Sequence, residues 1–322
     1  MLHAKRRFLL ISIVAIFVVV GVFFSANASL FGLGAHVEFV SSWGGKGNKD
    51  GQFLYLEDFA LDASGNLLAT DAVRSDVQIF SSDGTFLSKV NQFDNGLRKF
   101  QKPEGVVVDR DGNIYIGDYL TGHIYKFDRN FKYRKTFAGP GKGDGQLIEA
   151  EFMSISPEGL IYLAEAGNHR ISVFDREGSF QFLFGDSGPS TEILKRPEAA
   201  KYAPDGTIYV TDYGNNRIQK FSKYGKLISV FGREGTGPGE FRNPTGITID
   251  KFGDIYISDL GNNRIQVFDK NHKLKYVWGE HGIGEGQFAN LHGLIIDDDG
   301  YIYVADTGNN RIQKFRIMNY GN

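Results

Sequence analysis

Six positions, each 47 residues after the last, hold Glu57, Glu104, Glu151, Glu198, Thr245 and His292. Their contexts are "YLEDF", "KPEGV", "EAEFM", "RPEAA", "NPTGI" and "NLHGL". Four carboxylates, a hydroxyl and an imidazole in equivalent places are groups that bind ligands or move protons. Carboxylates brought together raise one another's pKa values unless a cation stands among them. Their hard oxygens favour Ca2+, and the imidazole leaves Zn2+ or Mn2+ open. A cationic or polyhydroxylated organic ligand suits the same set. The competing reading is that these side chains accept backbone hydrogen bonds or face water. The broken symmetry favours function, because architecture alone asks for six similar residues and an asymmetric ligand asks for differences.

The same step picks out a second set of acids: Asp71, Asp118, Glu165, Asp212, Asp259 and Asp306. Five residues after the last four come Arg170, Arg217, Arg264 and Arg311, within stretches such as "YVTDYGNNRIQKF" and "YISDLGNNRIQVF". A pair repeated in nearly every unit reads as a structural clamp, with Arg forking onto a carboxylate and Asn tying down the turn. The first two units depart from it, with Asp76 and His123 at the Arg position, which predicts a looser or differently bonded side. His123 and His169 are secondary site candidates, since both belong to elements on the face that carries the Glu ring. His36, His272 and His281 show no ligand spacing, and the absence of cysteine excludes disulfides, thiolate catalysis and Cys-ligated zinc.

These residues sit in six copies of one unit. "GITID" alternates, "KFGD" turns, "IYISD" is β-branched and aromatic, "LGNN" turns again, and "RIQVF" and "LKYVWG" supply two further strands. No window has a helical period. Four short strands per 47 residues describe a blade of a β-propeller. The expected fold is all-β, a six-bladed propeller of four-stranded antiparallel blades. The sixth copy lacks its fourth strand, and "HVEFVSSWG", with Trp43 five periods before Trp278, is expected to complete it and close the ring. Closure removes exposed strand edges. The glycine-rich loops open no helix, so they are not phosphate cradles, and their Phe53, Phe241 and Phe288 are expected to plug the gaps between blades.

The stretch "GTGPGEFRNPTGITIDKFGDIYISDLGNNRIQVFD" resembles the NHL repeat, and the resemblance covers roughly residues 36–318. It implies the propeller and leaves function open, since NHL propellers include ligand- and protein-binding scaffolds, RNA binders and metal-dependent lyases. An amidating lyase of this type places several histidines on zinc, to which His292, His169 and His123 are similar. Calcium-dependent six-bladed lactonases place a Glu near the start of an inner strand, as Glu57 or Glu104 stands here.

The N-terminus has a basic start, then an apolar run from Phe8 to Phe24, then "ANA" at Ala26 to Ala28. Residues 1–28 read as a signal anchor or a cleaved signal peptide, with an apolar helix over about 8–24. Residues 29–35 read as a tether, 36–318 as the propeller and 319–322 as a tail. Lys5, Arg6 and Arg7 keep the N-terminus inside and place the propeller outside the cytoplasm, membrane-anchored or secreted. The formal charge is −2, and removing those three cations leaves −5, which argues against nucleic acid as partner. The expected function is recognition of a protein, peptide or glycan on the channel-mouth face. The alternative is a metal-dependent hydrolase or lyase in the channel, using Ca2+ or Zn2+.

Overall fold

The computed structural model describes residues 37–93 and 95–318. The expected N-terminal helix, the tether and the tail lie outside the described residues. Among the described residues no helix is long and apolar enough to cross a membrane.

The fold is an all-β propeller. Four four-stranded sheets stand separately, and an eight-stranded sheet consists of two further meanders joined through one parallel pair, Phe152 with Ala199. In every meander the strand nearest the axis comes first in the chain: Leu56–Leu61, Pro103–Val108, Ala150–Ile155, Pro197–Tyr202, Pro244–Ile249 and Leu291–Ile296. Each inner strand packs on the inner strand of the next blade, and the last packs on the first, so the ring closes. In the final blade the outermost strand is Val37–Gly44, which pairs antiparallel with Arg311–Ile317 and sets Trp43 opposite Ile312. The latch lowers the entropy of the open ring by tying residues far apart in sequence.

The core lies between blades, not within them. Six apolar clusters each join one blade to its neighbour, for example Ala60, Leu68 and Ile79 with Val106, Ile116 and Phe127. The expected plugs Phe53, Phe241 and Phe288 are fully buried, and Phe100, Leu147 and Leu194 fill the equivalent places.

The second acidic set is the clamp. Arg170, Arg217, Arg264 and Arg311 lie 2.8, 2.7, 2.8 and 2.6 Å from the carboxylate of their own blade. Each carboxylate also accepts a backbone N–H from 17 residues earlier, such as Arg242 N–H to Asp259 at 2.7 Å. The guanidinium donates onward to the carbonyls of the incoming loop: Arg264 reaches Thr236, Gly237 and Glu240. Asn262 bridges Asp259 and Gly235.

The first two blades are differently bonded rather than looser. In blade 1 the roles swap: Arg74, at the Asn position, pairs with Asp76 at 2.7 Å and donates to the carbonyls of Lys49 and Gln52. The same loop is held by a guanidinium that comes from two residues earlier. In blade 2 the incoming loop is a short hairpin, Gln92–Phe93 against Arg98–Lys99, and Phe93 and Phe100 pack on Tyr125 and Phe127. There an aromatic cluster stands in for the ionic clamp.

Removing one member of such a buried pair leaves the other charge uncompensated, at a cost of about 3–5 kcal/mol. Asp259→Ala is expected to lose about that much stability in urea unfolding, while Asp298→Ala, on an exposed turn, stays within about 0.5 kcal/mol of the parent.

Candidate functional site

The inner strands do not run straight. Each shows a register shift against its neighbour at the same place, between Leu56 and Phe59, Pro103 and Val106, Ala150 and Met153, Pro197 and Ala199, Pro244 and Ile247, and Leu291 and Leu294. The ring residues occupy these bulges, which re-aim a side chain without ending the strand. Glycine follows three of them. A methyl on Gly105 would stand 2.5 Å from the Glu151 carbonyl oxygen, and one on Gly246 the same distance from that of His292. Bare backbone at these points lets neighbouring inner strands approach closely enough to crowd the ring.

Glu57, Glu104, Glu151, Glu198 and His292 converge on one cavity of about 520 Å3 at the channel mouth. Thr245 does not join them: it is fully buried and its hydroxyl donates to the carbonyls of Leu291 and His292 in the next blade. With no charge to solvate, its short side chain finds backbone acceptors first, so this position is architectural. His123 and His169 also lie outside the cavity lining. His123 packs beside Tyr125, and His169 Nδ1 accepts the Arg196 backbone N–H at 3.2 Å. Among the described residues no three His, Asp or Glu side chains are grouped to hold a metal ion.

What stands among the carboxylates instead is protein cation. Lys102 Nζ lies 2.5 Å from Glu104 and 3.6 Å above the Tyr119 ring. Arg196 pairs with Glu149 at 2.8 Å. Tyr55, Tyr119 and Tyr213 complete the wall, with Tyr55 edge-on to His292. Sequence reasoning passed over Lys102, Arg196 and the tyrosines, yet a signal existed. Two residues before the Glu ring, the 47-residue step reads Tyr55, Lys102, Glu149, Arg196, Asn243 and Asn290, a second asymmetric ring.

Burial, followed by the charges of Glu104 and Glu198, holds the carboxyls of Glu57 and Glu151 well above the ordinary range. Burial and then Glu104 push Glu198 up to about 8. Burial opposes the Lys102 ammonium, but Glu104, Glu57 and Glu151 outweigh it and raise its pKa. Burial drives His292 down to about 4, so its ring is neutral at pH 7. Its Nδ1 lies 3.0 Å from the Asn290 carbonyl oxygen, which assigns the proton to Nδ1. The Nε2 lone pair then faces Glu57 at 4.0 Å, as a neutral acceptor opposite a carboxyl that burial holds well above the ordinary range.

Three family models match parts of the chain: 6-bladed beta-propeller over residues 191–263, NHL repeat over 288–315, and strictosidine synthase-like, N-terminal, over 96–127. No curated protein matches the chain. Among solved structures, a streptogramin B lyase is similar with TM-score 0.63 and 14% identity, over 88% of this chain and 98% of that one. A gluconolactonase from Xanthomonas campestris has TM-score 0.63 and 16% identity, over 88% and 90%. An auxiliary nutrient binding protein from Bacteroides ovatus has TM-score 0.66 and 13% identity, over 88% and 77%. At such identities the likeness establishes the fold.

Glu198 shifts from 4.5 to about 8, so the native chain binds more protons than the unfolded one across that window. Stability therefore falls as pH rises through it. His292, shifted from 6.5 to about 4, has the opposite sign: the unfolded chain protonates first, and stability falls as pH drops through that window. Thermal unfolding from pH 5 to 9 is expected to show Glu198→Gln flattening the high-pH decline. An unchanged profile would mean that Glu198 is not held protonated.

Proposed function

We propose that this NHL-type propeller is a six-bladed binding module whose channel-mouth cup takes a glycan. The observation that carries the reading is the mixed sign of the cup. A simple cation would meet Lys102 and Arg196, and a simple anion would meet four glutamates. A neutral polyhydroxylated molecule meets no net penalty and finds donors and acceptors all round: carboxyl oxygens, Lys and Arg N–H groups, His292 Nε2 and the Asn290 amide. Tyr55, Tyr119 and Tyr213 offer faces for the apolar side of a sugar ring, and such sites are typically concave with a few placed polar groups. The volume, about 520 Å3, accommodates a short oligosaccharide. The basic start and apolar run of residues 1–28 support a location outside the cytoplasm, anchored or secreted, where glycans are met.

A second reading, chemistry in the cup, is favoured by the His292–Glu57 pair. A neutral imidazole with a free lone pair stands opposite a carboxyl that burial inclines to keep its proton, an acceptor beside a donor. Similar folds are described as a lyase and a gluconolactonase. The reading calls for proton transfer to a sugar lactone or ester by these two groups.

Screening the full chain on a glycan array is expected to give a defined set of ligands. Binding of the best of them should fall about tenfold or more in Glu104→Gln and Tyr119→Ala, the loss of one charge-assisted bond or one ring contact. An array without signal would overturn the reading. For the second reading, hydrolysis of glucono-lactone that vanishes in His292→Ala would establish chemistry, and a rate equal to the buffer rate would exclude it for that substrate.

A further inference from the structure

The channel does not end at the cup. Further along the inner strands a second cavity of about 200 Å3 is lined by all six of them. Lys201 lies three residues beyond Glu198, about 10 Å along an extended strand. The 47-residue step shows how unusual the lining is. At one level it reads Asp58, Gly105, Phe152, Ala199, Gly246 and Gly293, and two residues on it reads Ala60, Val107, Ser154, Lys201, Thr248 and Ile295. Each level is small or apolar except for one charged residue, an acid at the first and an amine at the second. A bore that only had to close would not need either, since burying an ionisable group is costly.

No hydrogen bond or ion pair joins the two among the described residues, although each charge favours the other across the bore. Among the described residues Lys201 Nζ makes no hydrogen bond and no ion pair, and it is only partly covered. Asp58 is buried, and its carboxyl accepts the Val106 backbone N–H at 3.3 Å. The amine and the carboxyl thus face a shared space that neither fills.

We propose that Lys201 is a carbonyl-capturing amine, which takes a small aldehyde or ketone into the bore as an imine with Asp58 as proton donor. The Nζ lone pair adds to the carbonyl carbon, the C=O pair moves to oxygen, and that oxygen takes a proton. Nitrogen returns one of its own protons to the Asp58 carboxylate, which passes it to the hydroxyl so that water leaves as the C=N bond forms, and the second nitrogen proton then restores the Asp58 acid. The step is a condensation, needs no oxidant or reductant, and reverses by hydrolysis. Burial moves both groups toward the protonation it requires. Burial lowers the Lys201 pKa, which enlarges the fraction of neutral amine, and burial raises Asp58 to about 7, which keeps a transferable proton on it. The cavity restricts the carbonyl compound to a few heavy atoms. This site is independent of the glycan reading, since it shares no lining residue with the cup.

The test incubates the full chain with glyoxylate and cyanoborohydride at pH 7, which reduces any imine to a stable amine, and maps the adducts by mass spectrometry. Lys201 is expected to be modified about tenfold faster than the exposed Lys142 and Lys270, because a larger share of it is neutral and nucleophilic. Lys201→Met should remove that adduct and leave the others. Asp58→Asn should slow modification of Lys201 alone. Lys201 modified no faster than Lys142 and Lys270 in the parent chain would overturn the proposal, and this comparison needs no variant to fold.

Discussion

The buried carboxylate at the end of each second strand is the constraint on which the other features hang. Asp259 accepts the Arg242 N–H, Asn262 Nδ2 and Arg264 Nε, and the guanidinium passes the restraint to three loop carbonyls. That fixes the loop between blades, and the loop delivers Phe241 into the interblade core, where it is fully buried. Three residues after the plug the chain enters the inner strand, whose bulge holds the ring position. In blades 3 to 6 the ring position is therefore placed by a clamp that lies in its own blade. The same clamp makes insertions in this loop expensive, which gives the period its rigidity.

This chain of restraints explains which parts of the protein could be read from its sequence. Strand, turn and clamp recur at a fixed step, so periodicity alone located the Asp–Arg pairs and the six ring positions. It could not tell which way a ring side chain turns. Glu198 and Thr245 occupy equivalent bulges, yet one faces the cup and the other bonds to its neighbour's backbone, because only the charged side chain gains by reaching polar surroundings. In blade 1, expected to be looser or differently bonded, the bonding is different. The exchange of Arg74 and Asp76 keeps the guanidinium on the loop carbonyls while breaking the sequence pattern. Lys102 and Arg196 went unnoticed for a related reason: they replace Tyr, Glu and Asn on a ring with no shared residue type, so no single spacing announced them.

The cup also shows how a ring of carboxylates is accommodated by the protein's own groups. Four carboxylates near one axis repel, and the repulsion can be relieved by an ion, by protonation or by internal cations. Here the last two act together. Glu57, Glu151 and Glu198 keep their protons to higher pH, while Lys102 and Arg196 bring charge from the next ring outward. The result holds donors and acceptors side by side at neutral pH, which a carboxylate ring filled by Ca2+ would not.

Symmetry is the scaffold's contribution, and departures from it carry the chemistry. Six four-stranded meanders line a channel whose inner wall repeats at every level, so each exceptional residue is displayed against five equivalents that show what packing alone requires. By that measure the wall holds two separate departures. At the mouth, His292 and the four glutamates share a cavity with Lys102 and Arg196. In the bore, Asp58 stands among Gly, Phe and Ala, and Lys201 among Ala, Val, Ser, Thr and Ile. An isolated amine amid apolar neighbours is destabilised as an ammonium wherever it occurs. Placing it in a walled cavity opposite an acid turns that penalty into reactivity, and the closed ring supplies the rigidity needed to keep the two apart.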